Sequence, residues 1–503
     1  MMNMSFKKIF FLSFVLRAIL YWVGHDSLDI DEAEIITYGR TLWNNRLFQI
    51  YLPTGYHWEL VASYLFGGLD LVHSSLPRLL SFLFSLLDLL FLYHIAKRFF
   101  TERIALVSVF LLATSPWHLY YSNITGTINL CLTFILFFVW LNPKRWWSRV
   151  LLHAFGLLIY PAYRIFFVVD GFVLLKKKEW RKIFFNGVSI ACSLLLVFLV
   201  HHQITFFISR GQHNFIGHFE GIFKNYATFL IAPFSWPLSY YKIVASTFFV
   251  GDYTHYGLVR LIHGPPLGWA CAFLALIGLG ILWRTQRLKS LAPYYMVPFL
   301  VLGFMGPSVA RMYILLPLFV LLGALAFEGL EKNVKTPKTL FYGFFILALI
   351  SSIDLLYQRS QLELNDTVFH RRSFLVAQEF RKDEYLTLFK DKPVTILTGP
   401  GLNVWRYLVD SQKLRAFIVP SFLFDEYLFA DLKANKQDDG TQWFFIPDFS
   451  GEIDSINENA QYVSGREKIM DYLNRNANLL ERKELFHGQM RLGQMIKIIW
   501  TKA

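Results

Sequence analysis

The stretch Ser27–Thr37 reads SLDIDEAEIIT and sets Asp29, Asp31, Glu32 and Glu34 within six positions, just after the apolar run FFLSFVLRAILYWVG. Carboxylates held at the edge of an apolar block can do three kinds of chemistry. One can take the proton from an attacking hydroxyl. One can offset positive charge growing on a reacting carbon. A pair such as Asp29-x-Asp31 can also offer hard oxygen ligands to Mg²⁺ or Mn²⁺. Asp29 and Asp31 are two apart, so only one easily faces a given pocket. Asp31 and Glu32 fall where a helix would begin, since EAEIITYGRTLW continues with Ile35, Tyr38 and Leu42 on one side. Acids at that place also complement a helix macrodipole without any catalytic role.

Other polar residues belong to the same set. LPTGYHWEL brings His57 and Glu59, and SPWHLYYSN brings His118, Tyr120 and Tyr121. LIYPAYR ends on Arg164, and GPSVARMY carries Arg311. If the spans run as read below, all of these reach the outer face of one helical bundle. Acids and arginines gathered on that face make a functional-site hypothesis. The aromatic residues among them also fit an interfacial belt.

The elements that must position these residues are membrane helices. The chain is 55% hydrophobic and only 17% charged over 503 residues, against about 25% charged in a soluble domain. The apolar excess comes in blocks long enough to span hydrocarbon as helix. The sequence predicts helices over 6–23, 77–96, 104–120, 127–141, 150–161, 164–175, 184–207, 267–283, 291–306, 311–328 and 339–356. The apolar block 57–72 is read as re-entrant or interfacial. Counting it as a span would invert every later loop. Lys7 and Lys8 precede the first block without a small-x-small cleavage site, so that block reads as a retained helix.

Charge sets the orientation. Alternate short loops hold Lys97, Arg98 and Arg103; Lys144, Arg145 and Arg149; Lys176–Lys178, Arg181 and Lys182; Arg284, Arg287 and Lys289; and Lys332, Lys335 and Lys338. Segment 24–76 holds two arginines against seven acids. With the N-terminus cytoplasmic, every basic loop is cytoplasmic. The net charge of +13 is therefore a topology signal, and nothing in it points to nucleic acid. The expectation is an α-helical polytopic membrane protein of about eleven spans over 1–356. Its large outer loops are 24–76 and 208–266. An extramembrane α/β domain follows over 357–503, with strands at VTILTG, FIVP, WFFIP and MIKIIW and helices near 365–384, 401–411 and 465–481. Cys131, Cys192 and Cys271 all sit in apolar blocks and form no disulfide or metal framework.

Six pieces in order give these spans a family likeness. They are IDEAEIITYGRTLW, LPRLLSFLFSLLDLLFLYHIAKRFF, ALVSVFLLATSPWHLYYSN, GLLIYPAYRIF, FFVGDYTHYGLVRLIHGPPLG and ARMYILLPLFVLLGALAFEGL. Over about 8–330 the chain resembles the GT-C fold polyprenyl-phosphate-sugar-dependent membrane glycosyltransferases, in the protein mannosyltransferase and aminoarabinose transferase branch. It departs from that pattern in SNITGTIN, where Asn123 and Asn129 stand in place of an arginine and an acid, and near Arg164, which lacks the Tyr-Thr-Tyr run.

The resemblance implies transfer of one sugar from a polyprenyl-phosphate carrier to an acceptor hydroxyl at the non-cytoplasmic face. The acceptor class, whether lipid, glycan or protein, stays open, and the membrane is taken as the bacterial inner membrane. Asp31 is the expected base, with Glu32 and Asp29 behind it. Arg164 and Arg311 are expected at the donor phosphate, and His57, Glu59, His118 and Tyr121 at sugar or acceptor. The mannosyltransferase branch argues against a metal, so no cofactor is expected, and a divalent cation at Asp29-x-Asp31 is the alternative. A secondary transporter could also carry the intramembrane charges Arg17, Asp88 and Asp170, although no inverted repeat is visible. A non-catalytic glycolipid-binding scaffold is the third class.

Overall fold

The computed structural model describes residues 5–23, 30–43, 59–160, 162–208, 265–284, 312–333, 337–360, 371–380, 382, 385, 394–398, 416–420, 441–447, 470–471, 473–475, 477–487 and 490–500. The chain divides into two compact units, one of 1–23 with 38–359, the other of 24–37 with 360–503.

The first unit is helical. Its described elements are α1 (Phe6–Val23), the end of α2 (Ile30–Trp43), α3 (Leu60–Val72), α4 (Leu76–Phe99), α5 (Glu102–Ala113), α6 (Pro116–Tyr121), α7 (Thr127–Leu141), α8 (Trp146–Leu157), α9 (Tyr163–Lys176), α10 (Trp180–Ile208), α11 (Trp269–Arg284), α12 (Leu316–Asn333) and α13 (Pro337–Ser360). Helix α4 shows why these sequences fold together. Its buried side carries Arg78, Ser81, Ser85 and Asp88, while Leu79, Leu83 and Leu87 are exposed. Helix α13 repeats the pattern, with Ser351 and Ser352 buried and Ile346, Ile350 and Ile353 exposed. Polar groups turned inward and aliphatic side chains turned outward suit a bundle immersed in hydrocarbon, where backbone and side-chain polar atoms must find partners inside the protein. Among the described residues, Leu76–Phe99 and Tyr313–Glu331 are long and apolar enough to cross a membrane.

Three expectations can be set against the structure, and the first of them is corrected. The helix expected over 104–120 breaks between α5 and α6, because Pro116 is first in α6 and Ser115 before it is extended (φ −67°, ψ 123°). The residue ahead of a proline is driven out of helical geometry. Ser352 on α13 donates to the freed carbonyl of Thr114 at 2.8 Å, and Trp117 N–H donates to Pro266 O at 2.9 Å. Second, the block 57–72 forms α3, whose 13 residues reach roughly 20 Å at 1.5 Å per residue, short of the ~30 Å hydrocarbon core. Third, the expected span 291–306 and the loop 208–266 lie outside the described residues, except for Ile208 in α10 and residues 265–266.

Small residues allow close crossings. A Cβ on Gly39 of α2 would lie 2.7 Å from Gly67 Cα of α3, and one on Gly278 of α11 would lie 2.3 Å from Leu322 O of α12. Beside the first crossing Arg40 pairs with Asp70.

The second unit holds a five-stranded sheet in the order β2-β1-β3-β5-β4. The strands are β1 (Val394–Thr398), β2 (Ala416–Pro420), β3 (Thr441–Pro447), β4 (Ala477–His487) and β5 (Met490–Trp500). β1 pairs in parallel with β2 and β3, and β5 pairs antiparallel with β3 and β4. Central β3 is buried from Thr441 through Ile446, as a strand covered on both faces must be. Helix α14 (Arg371–Glu379) brings Leu375, Val376 and Ala377 to a core completed by Phe380, whose ring meets Phe445 edge-on at 5.2 Å. The stretch 465–481, expected to be helical, runs into β4 at Ala477. Its last residues, ANLLE, are mostly good helix formers, and pairing with β5 overrides that preference.

Candidate functional site

Helix α2 begins at Ile30, so Asp31 and Glu32 stand in its first turn, the helix start that their spacing predicts. Glu32 is buried. Asp29, His57 and Arg311 lie outside the described residues. Glu59 is the buried N-cap of α3, and its carboxylate makes no cap hydrogen bond to that helix. Two residues on, Val61 N–H donates to Leu158 O at 3.1 Å. That bond ties the start of α3 to the turn between α8 and α9, and the turn leads directly to Tyr163 and the half-buried Arg164. The structure thus brings the Glu59 and Arg164 segments into one neighbourhood.

His118 and Tyr121, expected at the outer surface, are buried instead. The break before Pro116 turns α6 inward, and charged groups on α1 and α4 meet it there. Arg17 of α1 is fully buried and donates from all three guanidinium nitrogens. Nε donates to Ser85 Oγ at 2.9 Å, Nη1 to Ser13 and to Ala113 O, and Nη2 to His118 Nδ1. On the other side of the imidazole, Nε2 lies 3.0 Å from Asp88 Oδ2. A guanidinium can only donate, so Nδ1 must present its lone pair and Nε2 must carry the proton given to Asp88. The ring is a neutral bridge between the Arg17 guanidinium and the Asp88 carboxyl. Tyr313 covers it with its ring stacked on His118, and Tyr121 packs on Tyr313 at 4.7 Å.

Asn129, one of the two neutral residues that depart from the family pattern, has a structural role. It donates to Ser81 O at 3.0 Å and accepts from Tyr313 Oη at 3.1 Å. It thereby fastens α4 to the turn preceding α12. An acid there would face the carbonyl of Ser81 with no proton to give.

A second buried cluster joins α8, α9 and α10. Asp170 Oδ2 accepts from Arg149, from Asn186 Nδ2 at 3.0 Å and from His153 Nε2 at 3.3 Å. His153 Nδ1 reaches Tyr163 Oη at 3.1 Å. Arg149 also donates to Asn186 Oδ1 at 3.0 Å and lies over the Phe138 ring. The sequence marks Arg17, Asp88 and Asp170 as charges inside apolar blocks and offers Arg17 as partner to both acids; Asp88 meets it through His118, whereas Asp170 belongs to the second cluster. The missing signal was distance along the chain, since Arg17 and His118 are 101 residues apart.

Comparison with known proteins follows the same lines. Residues 63–204 match the family model described as dolichyl-phosphate-mannose-protein mannosyltransferase. No curated protein sequence matches the chain. Among solved structures, ArnT from Cupriavidus metallidurans bound to undecaprenyl phosphate superposes with a TM-score of 0.53 at 11% identity, over 98% of each chain. The apo state of the same protein gives 0.51 at 10% identity, over 96% of this chain and 97% of that one. The apo oligosaccharyltransferase of Archaeoglobus fulgidus reaches only 0.44 at 13% identity, over 89% of this chain and 70% of that one. This chain therefore has the GT-C fold seen in ArnT, and from α3 to α10 it carries the sequence pattern of the dolichyl-phosphate-mannose-protein mannosyltransferases.

Proposed function

We propose that this protein is a membrane glycosyltransferase that moves one sugar from a polyprenyl-phosphate carrier to an acceptor hydroxyl at the non-cytoplasmic face. The observation that carries the reading is the end-to-end likeness to ArnT in a structure that holds undecaprenyl phosphate. The mannosyltransferase pattern over 63–204 supports it. The proposal keeps the topology read from the basic loops, with about eleven spans and residues 357–503 as an outer α/β domain. It leaves the identity of the sugar and acceptor open.

The chemistry assigns roles to the candidate residues. As the acceptor hydroxyl attacks the anomeric carbon, its proton passes to Asp31, with Glu32 and Asp29 nearby in sequence. The transition state has oxocarbenium character, which neighbouring carboxylates favour. The leaving lipid phosphate gains charge, and the forks of Arg164 and Arg311 suit its oxygens. His57 and Glu59 are assigned to sugar or acceptor. His118 and Tyr121 act behind that surface, as parts of the packed Arg17 cluster. No metal has a role in this scheme.

The test is transfer from a radiolabelled polyprenyl-phosphate sugar by the purified full chain, beside donor binding and a thermal-stability control. Asp31→Asn should keep fold and donor binding while slowing transfer by about 10²–10⁴-fold. Glu32→Gln should cost less. A fully active Asp31→Asn protein would remove Asp31 from the scheme. Donor binding without any transfer in the wild type would favour the scaffold reading, and a rate abolished by chelator would restore the cation at Asp29-x-Asp31.

A further inference from the structure

Two short connections of the helical unit, α7–α8 and α9–α10, enclose a cavity of about 770 Å³ that no role above uses. Its wall is strongly cationic. Lys182 pairs with Glu179, and Arg149 is held by Asp170. Lys144, Arg145, Lys178 and Arg181 line the same cavity and have no carboxylate partner among the described residues. Two helices also begin here, α8 at Trp146 and α10 at Trp180, and the N-cap of α8 is Arg145, whose side chain makes no cap bond. The N–H ends of both helices therefore add positive potential to the four cations.

The rim has the opposite character. Trp146, Trp147 and Trp180 are all exposed, and Phe184 beside them is exposed too. Trp146 stacks on Phe185 at 4.7 Å, which braces the two connections against each other. Exposed indoles beside unpaired cations at the ends of membrane helices are what a lipid headgroup region meets. A free anion would gain nothing from that apolar rim.

Lys178 supplies a separate observation. It occupies the left-handed conformation, φ 57°, in a complete helix-ending motif. Lys178 N–H donates to Leu175 O, and Glu179 N–H to Leu174 O, both at 3.0 Å. That position is ordinarily glycine, because a side chain there is strained. The sequence keeps a lysine, and the lysine lines the cavity.

We propose that this cavity binds the phosphate-bearing headgroup of an anionic phospholipid, with its acyl chains along the Trp–Phe rim. On the topology proposed above it faces the cytoplasmic leaflet, away from the sugar-transfer chemistry. Binding can be measured whether or not that transfer reading holds.

The experiment uses the purified full chain in neutral detergent, titrated with phosphatidylglycerol, phosphatidylcholine or inorganic phosphate and read by native mass spectrometry. Phosphatidylglycerol should bind, and the other two should not compete at equal concentration. The K144Q/R145Q/K178Q/R181Q variant should bind phosphatidylglycerol at least about tenfold more weakly. A charge-matched control, K7Q/K8Q/K97Q/R98Q, should bind like the wild type. Equal loss in both variants would mean only general charge attraction, and no loss in the first would exclude the site. Displacement by inorganic phosphate would assign the cavity to a free anion. Should the quadruple variant not fold, Lys178→Gly relieves the left-handed strain and should melt no lower than the wild type. It should still weaken phosphatidylglycerol binding by about fivefold, and unchanged binding would overturn the proposal.

Discussion

Arg17 is the residue whose loss the helical unit should feel most. It bonds the side chains of Ser13, Ser85 and His118 and the carbonyl of Ala113, and is fully buried. Arg17→Met would leave Asp88 charged and uncompensated in an apolar interior, at a cost of about 3–5 kcal/mol. Arg17→Lys keeps the charge but loses the planar fork, so it should also destabilise substantially. Pairing Arg17→Met with Asp88→Leu should recover much of the loss, because neither lone charge remains. Thermal melts of these variants and of Asp88→Leu alone in detergent would check this, and additive losses would mean that the two residues do not act as a unit. At this scale the sequence was half legible. Charges inside apolar blocks are conspicuous in a linear reading. Their partners are not, because Asp170 meets Arg149 and His153 only after α8 folds back on α9.

Among the elements, helices with uninterrupted apolar runs were read most accurately. α1 and α7 keep the bounds expected from sequence, 6–23 and 127–141. Errors came where a partner distant in sequence decides the outcome. The α5–α6 break was foreshadowed by Pro116, but its tolerance depends on Ser352. β4 exists because β5 lies beside it. The close α11–α12 crossing gives an internally controlled prediction. Gly278→Ala would force a methyl against the Leu322 carbonyl, whereas a Cβ on Gly280 in the same helix meets nothing within 4 Å. Overpacking against backbone should cost about 1–3 kcal/mol at Gly278. At Gly280 alanine should be neutral or stabilising by up to about 1 kcal/mol. Equal melting temperatures for the two variants would show that the helices separate easily at this crossing.

For the whole molecule, the inward polar and outward aliphatic pattern of α4 and α13 accords with a membrane setting, while the count of spans rests on the sequence. Fold class was legible because apolar blocks and short motifs are local. The meeting of the Glu59 and Arg164 segments was not, since they sit on separate elements joined through the bond from Val61 to Leu158. The proposed orientation has a direct check. Single cysteines at Thr54 and Gly440 should react with an impermeant reagent on intact cells whose outer envelope is open, and a cysteine at Lys177 only after permeabilisation. Labelling of Gly440 from the cytoplasmic side alone would reverse the arrangement. The α5–α6 break has a further consequence, in the order of synthesis. Thr114 is made long before Ser352, and Trp117 long before Pro266. Until those later segments emerge, the nascent chain holds a bare carbonyl and a bare N–H within its apolar portion, each costing several kcal/mol in hydrocarbon. A ribosome-stalled chain ending before residue 337 should therefore insert poorly or stay exposed to membrane proteases, and one extended far enough past residue 360 for α13 to clear the ribosome should become protected.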